Sequence, residues 1–229
     1  MDCNETVLRE VRAMPLGGRY GATRVATVAL VRAAHFETGK FFVLPAPDSP
    51  SFCSGATYLV FLKAIEQFQK NGLKLDAETL ESLVIREGQH DGEGVWGRWN
   101  ANGPGTARLF YELGLGKNST DFATAKPGDF MKIFWTPEVG NTEHGHSVVY
   151  LGREMQNGEE YIRFWSSNVP AGYGEKSVPR NKMAHVIFSR LETPSNLAQI
   201  KTAPEMDPYL AGLVTKRSSF AEALEKCGL

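Results

Sequence analysis

"SFCSGATYLVFLKAIEQF", residues 51–68, sets a small thiol-bearing segment, Cys53-Ser54-Gly55, at the head of a long apolar run. Tyr58, Phe61, Leu62, Ile65 and Phe68 recur at spacings of three or four, the period of a helix face. Leu59 and Val60 make the segment apolar nearly all round, which predicts a central, buried helix. Ser49 ahead of Pro50, or Ser51 one step later, is the expected cap, and either choice puts Cys53 in the first helical turn. The unpaired N–H groups and partial positive charge of a helix start lower a thiol's pKa, and only the thiolate is a useful nucleophile. Gly55 leaves room for close approach. The competing role for Cys53 is a small apolar core filler.

Ahead of this helix, "TRVATVALVRAAH" (23–35) carries Val25, Val28, Ala29 and Val31 on one helical stripe, with a turn expected at Gly17-Gly18. "FFVLP" (41–45) reads as a short extended piece. After it, a helix is expected from Asp76 to about Ile85, and "EGQHDGEGVWGRWNANGPG" (87–105) reads as an irregular, glycine-rich surface excursion. A further helix over roughly 104–113 starts at Pro104 and stops at Gly114. From Pro127 the period turns alternating: 129–135, 147–152, 161–167 and 184–191 read as strands, with Asn157-Gly158 as a tight hairpin turn. Residues 204–227 read as one amphipathic helix capped by Asp207 with Pro208 in its first position. Helices followed by a mainly antiparallel sheet define an α+β chain. The expected organisation is a single domain over 1–200, with 71–126 inserted as a helical and glycine-rich excursion and 201–229 as a C-terminal helical extension.

With 25 basic and 26 acidic residues well mixed, the chain has a formal charge of -1, a poor basis for binding nucleic acid or an anionic membrane surface. The longest apolar run, "VATVALV" (25–31), falls far short of the roughly 20 residues that cross a bilayer, so no membrane span is expected. "MDCNETVLRE" does not have the layout of a secretory signal. The expectation is an exported protein if a signal has been removed, and a cytoplasmic one otherwise. The three cysteines form no disulfide framework and no paired zinc spacing; Cys3 and Cys227 read as free thiols, with a bridge between them as the alternative.

A cysteine nucleophile needs an imidazole within hydrogen-bond reach and an acceptor that fixes the imidazole's tautomer. Of the five histidines, His35 ends the first helix, His90 sits in the glycine-rich excursion and His185 starts a strand. His144 and His146, in "TEHGHSVVYLG", stand at the mouth of a strand, where a rigid scaffold presents reactive groups. Centring the hairpin on Asn157-Gly158 sets Asn168 opposite Ser147 and Ser167 opposite Val148; one residue of slip sets Asn168 opposite His146. Asn168 is therefore the expected third polar group, with Ser167 in reserve.

"CSGAT" opening a buried helix, "KPGDFMKIFW" as a following strand, then "HSVVYLG" and a hairpin to a polar residue resemble the NlpC-type cysteine peptidases of the papain-like superfamily. The likeness covers roughly residues 23–190. It implies a papain-like fold and cleavage of amide bonds in peptidoglycan stem peptides without a cofactor. Cys53 is then the nucleophile, His146 the base and Asn168 the third polar group. The chain departs from that pattern in four ways, one of them a segment between Cys53 and the glycine-aspartate strand that is longer than the minimal fold needs. Phe52 stands where the family often has aspartate, the third position is asparagine where histidine is common, and the tyrosine that lines the family's site ahead of the cysteine has no firm counterpart, Phe41 and Phe42 lacking the hydroxyl. Asp129 resembles the family's structural aspartate and is expected to cap or turn a loop.

Trp96 and Trp99 are candidates for a cleft wall against sugar or peptide faces, although loop anchoring is the commoner use of such tryptophans. Ser54 and His144 are further candidate substrate contacts. Three other readings compete with the hydrolase: a muropeptide- or protein-binding module with an idle thiol, an acyltransferase, and a zinc site at His144 and His146 completed by Glu143 or Cys53.

Overall fold

The structure, a computed structural model, describes residues 2–38 and 40–229. It begins with α1 (Cys3–Arg12), a helix outside the expected elements, capped by the Asp2 carboxylate on the Asn4 N–H at 2.9 Å. Then come β1 (Gly17–Gly18), α2 (Arg24–Ala33), β2 (Ala34–Glu37) and β3 (Lys40–Val43). The long helix α3 (Cys53–Lys70) is followed by α4 (Ala77–Glu81), α5 (Gly94–Asn100) and α6 (Gly105–Leu113). The rest is chiefly sheet: β4 (Gly116–Ser119), β5 (Phe130–Phe134), β6 (Val139–Gly140), β7 (Gly145–Gln156), β8 (Glu159–Asn168), β9 (Gly172–Pro179) and β10 (His185–Leu191). The tail adds α7 (Pro208–Gly212), β11 (Arg217–Ser218) and α8 (Phe220–Lys226).

Seven strands form one sheet in the order β1-β9-β8-β7-β5-β10-β4, every neighbouring pair antiparallel. The chain is thus α+β with a large antiparallel sheet. Because strand side chains alternate between faces, sequence neighbours enter different cores. Phe130, Val149 and Trp165 pack with the α3 residues Phe61, Leu62 and Ile65, whereas Met131, Val148 and Phe164 join Phe122, Val186 and Phe188 in a second cluster. Helix α3 buries residues on all sides, Tyr58 to Leu62 without a break, as its all-round apolar sequence requires. Its cap differs from expectation. Phe52 is the N-cap residue and no side chain caps the helix; Ser51 is instead engaged with Ser167, its hydroxyl donating to Ser167 Oγ at 2.8 Å.

The largest departure lies at 87–105. In place of a surface excursion there is the buried helix α5, with Trp96 and Trp99 5% and 1% exposed among Tyr58, Phe61, Phe110 and Phe130. The glycines here answer to close packing. A Cβ on Gly97 would sit 2.1 Å from His90 O, and one on Gly105 would sit 2.3 Å from Arg98 O. Arg98, fully buried, reaches Glu112 through Nε at 2.7 Å and Nη2 at 3.1 Å, and donates to the carbonyls of Gly92, Gly94 and Pro204. One guanidinium thereby joins α5, α6 and the approach to the tail.

Elsewhere the differences from expectation are smaller. Gly17-Gly18 is not a plain turn but an edge strand on β9, and a Cβ on Gly18 would meet Ser49 O at 2.6 Å. His35 lies in β2, not at a helix end. The helix expected from Asp76 is only Ala77–Glu81, capped by Asp76 on the Thr79 N–H. The tail holds two short helices rather than one, separated by β11, which pairs with β6; Asp207 caps α7, with Pro208 first. Cys3 and Cys227 are both free, so the alternative bridge is absent. No helix among the described residues is long and apolar enough to cross a membrane.

Candidate active site

Cys53 is the first residue of α3, half-buried at the floor of a cleft of about 450 Å³ that is also lined by Tyr20, Ser54, Asn100, Lys132 and Ser147. At that position the first N–H groups of the helix have no intrahelical partner, and Cys53 N–H is one of them. Burial pushes the thiol's pKa up. A hydrogen bond from His146, the charge of its imidazole, the Ser147 N–H and the Lys132 ammonium together outweigh burial and bring it down to about 7. The two groups, 93 positions apart in the chain, therefore meet.

His146 stands in β7 with its ring stacked on Trp135 at 6.2 Å between centroids and edge-on to Phe164 at 5.7 Å. Its Nε2 lies 3.1 Å from Asn168 Oδ1. Asn168, 6% exposed at the end of β8, donates through Nδ2 to Gly174 O at 2.8 Å and Ser166 O at 3.2 Å. Two carbonyl acceptors fix the orientation of that amide, so Oδ1 must face the imidazole and accept its Nε2–H. The tautomer is thereby set: Nδ1 is left as the base for the Cys53 proton.

The register that brings Asn168 here differs by one residue from the simple hairpin. Pairing runs regularly from Gln156/Glu159 to Gly152/Arg163, then shifts across a bulge at Leu151, so that Tyr150 faces Phe164 and Val149 faces Trp165. Continuing the shifted register sets Asn168 opposite His146 rather than Ser147. A bulge adds one residue to one strand and re-aims the side chains beyond it. Ser167, the reserve candidate, is buried elsewhere: its hydroxyl donates to Ser51 O at 2.9 Å, tying β8 to the segment that enters α3.

Tyr20 is the site residue that sequence reasoning missed. It lines the cleft with Cys53, and its own pKa is raised, first by burial and then by the neighbouring negative charge of Cys53 and hydrogen bonding to it. Backbone bonds clamp it on both sides: Tyr20 N to Pro170 O at 3.0 Å, Gly21 N to Ser51 O at 2.9 Å and Ser51 N to Arg19 O at 3.1 Å. The signal was the glycine pair just before it, which lets the chain pass close under Ser49. Phe41 is instead core, and Phe42 stacks on His35.

The remaining candidates separate clearly. Ser54 lines the cleft, and its hydroxyl donates to Asn100 Oδ1 at 2.7 Å, holding α5 against the start of α3. Trp96 and Trp99 belong to the core beneath the site and offer no cleft wall; Trp99 Nε1 donates to Thr57 Oγ1 at 3.2 Å. His144 is exposed outside the cleft lining, its carbonyl accepting from Trp135 N. Among the described residues no three His, Cys, Asp or Glu side chains are grouped to hold a metal ion, and the suggested ligand Glu143 is engaged by Lys132 Nζ at 2.7 Å. Asp129 is 1% exposed, receives the Lys126 N–H at 2.8 Å and pairs with Arg190, a structural role.

A thiol, an imidazole and an amide in series, with an unpaired helix N–H and a phenol beside the sulfur, form an array suited to attack on a carbonyl carbon. No family model matches the chain, and no curated protein or solved structure matches it.

Proposed function

We propose that this protein is a papain-like cysteine hydrolase of the NlpC type that cleaves an amide bond through a thioester intermediate. The observation that carries the reading is a cleft-lining Cys53 whose thiol pKa is lowered to about 7 by the neighbouring His146, whose Nε2 in turn lies 3.1 Å from Asn168 Oδ1. His146 Nδ1 accepts the Cys53 proton, and the thiolate adds to the amide carbonyl carbon. We assign the Cys53 N–H and the Tyr20 hydroxyl as the donors to the developing oxyanion. The C–N bond breaks as His146 returns the proton to the leaving amine. Water, deprotonated by His146, then adds to the thioester, releasing a carboxylic acid and restoring the thiol. Asn168 holds the imidazole in the required tautomer throughout.

The substrate class, a peptidoglycan stem peptide, rests on the likeness of "CSGAT" and "HSVVYLG" to that family, and Tyr20 supplies the site tyrosine the family leads one to expect. Iodoacetamide at mildly acidic pH should alkylate Cys53 ahead of Cys3 and Cys227, with peptide mass mapping as the readout. Cys53→Ala and His146→Ala should each lower turnover of muropeptides at least about a thousandfold. Equal labelling of the three thiols, or full activity in Cys53→Ala, would overturn the hydrolase reading.

A further inference from the structure

We propose that the outer face of α2 is a docking groove for a helix of another protein, one that carries an apolar stripe between two carboxylates. The inference stands apart from the chemistry of Cys53. The residues that α2 buries are Ala26, Leu30 and Ala33. Of the stripe that the sequence marks on this helix, Val31 packs against the core, whereas Val25, Val28 and Ala29 line a groove of about 510 Å³ with Leu44 and Ala46, from the segment that follows β3. Val25 and Leu44 are 65% and 69% exposed. The helix is therefore apolar on two faces; one meets the protein and the other meets water. Apolar residues gathered in a concave patch mark a binding surface, unlike the same residues scattered singly.

Arginines stand at both ends of the groove. Arg24 and Arg32 line it, eight residues apart on the helix, which is about 12 Å along its axis. Among the described residues no carboxylate lines the groove. Arg24 pairs with Glu87 at 3.5 Å, both largely in water, and Arg32 forms no ion pair among the described residues. An ion pair that open to solvent holds little and yields to a better-placed carboxylate. Each guanidinium can take a carboxylate through two parallel N–H bonds while its hydrocarbon stem extends the apolar floor.

Charge and shape decide among the occupants. A second copy docking through α2 brings arginine against arginine whether the two helices run parallel or antiparallel, which disfavours self-association. An anionic bilayer has the right charge but is flat, whereas the stripe is walled by the segment after β3, which Leu44 N holds to Ala33 O at 2.7 Å. A helix with acids two turns apart and apolar side chains between them matches both the groove and the spacing of its charges. Thr27, on another face of α2, lines the Cys53 cleft, and the cleft and the groove share no lining residue. Docking therefore leaves the cleft open beside the bound helix.

The probe is a stapled helical peptide with two glutamates two turns apart and leucines between them on the same face, labelled with fluorescein and read by anisotropy at low ionic strength. Its control has lysines in place of the glutamates. The glutamate peptide should bind at least about tenfold tighter than the lysine peptide. The double variant Arg24→Glu, Arg32→Glu should invert that preference, and Val25→Asp should weaken binding of the glutamate peptide about tenfold, with unchanged urea midpoints as the sign of an intact fold. All three positions are exposed, and should Val25→Asp unfold, the charge reversal decides alone. Failure of the glutamate peptide to bind, or equal binding of the two peptides, overturns the proposal. So does binding to vesicles of phosphatidylglycerol and phosphatidylcholine in place of the peptide, abolished in the double variant, which assigns the face to a membrane. A dimer in sedimentation velocity that Val25→Asp disperses overturns it too, assigning the face to a second copy. None of these outcomes touches the hydrolase reading, which stands or falls on Cys53.

Discussion

Two thiols of this chain end in opposite chemical states. Cys53 begins α3 beside an imidazole, a phenol and an open cleft, and its pKa falls to about 7. Cys227 comes just after α8, packed with Phe134, Ile187 and Ala223, and burial there pushes its pKa up to about 12, with Asp207 adding to the rise against the lowering effect of Arg108. Burial opposes ionisation at both places. The difference lies in the groups near the sulfur: hydrogen-bond donors and a cation-forming ring at one, hydrocarbon at the other. Low polarity alone makes a thiol inert. Low polarity with a matched partner makes it a nucleophile.

That contrast can be broken from the Cys53 side first. Removing the phenol in Tyr20→Phe should lower kcat on a cleaved muropeptide about a hundredfold, the scale of one lost oxyanion donor, while leaving its KM nearly unchanged. A purely structural Tyr20 would instead slow alkylation of Cys53 and turnover in parallel. Next in size is the loss of the imidazole. With a pKa of about 7, the thiolate fraction of Cys53 rises with pH through neutrality and falls below it, so alkylation should be half-maximal near pH 7. In His146→Ala the midpoint should move up toward that of an ordinary thiol, and alkylation at pH about 6 should slow by about 30-fold. A midpoint that stays put would show that the lowering comes from elsewhere. The smallest effect belongs to the other thiol. Cys227→Ala should leave turnover unchanged and cost about 1 kcal/mol of stability as a small cavity, read as a shift in urea midpoint. A large loss of activity there would erase the distinction.

Much of this geometry could be read from spacing. The all-round apolar run 54–68 demands a buried helix, and Cys53 at its head is fixed by the break at Pro50 and the onset of the helical period. The four main strands and the Asn157-Gly158 turn, with φ of 50° and 82°, come from alternation and from residues that tolerate the left-handed region. The bulge at Leu151 could not be read that way, because an apolar residue there satisfies either register. It nonetheless decides that Asn168 stands opposite His146 rather than Ser147. At 87–105 six glycines suggested a loop, since glycine marks both turns and close packing and only the neighbour in space tells which. Gly97 against His90 O and Gly105 against Arg98 O are the second kind.

By itself the sequence determined the helix that carries the thiol, the strands that carry the imidazole and the amide, and the near balance of charge. These depend on local period and on which residues sit next to each other in the chain. Only the tertiary structure decided that Tyr20 lies beside Cys53, that Trp96 and Trp99 lie in the core, and that Lys132 pairs with Glu143 at the cleft. Those outcomes depend on distances between segments that the chain does not encode as neighbours, and in a packed interior such distances are set by every contact at once.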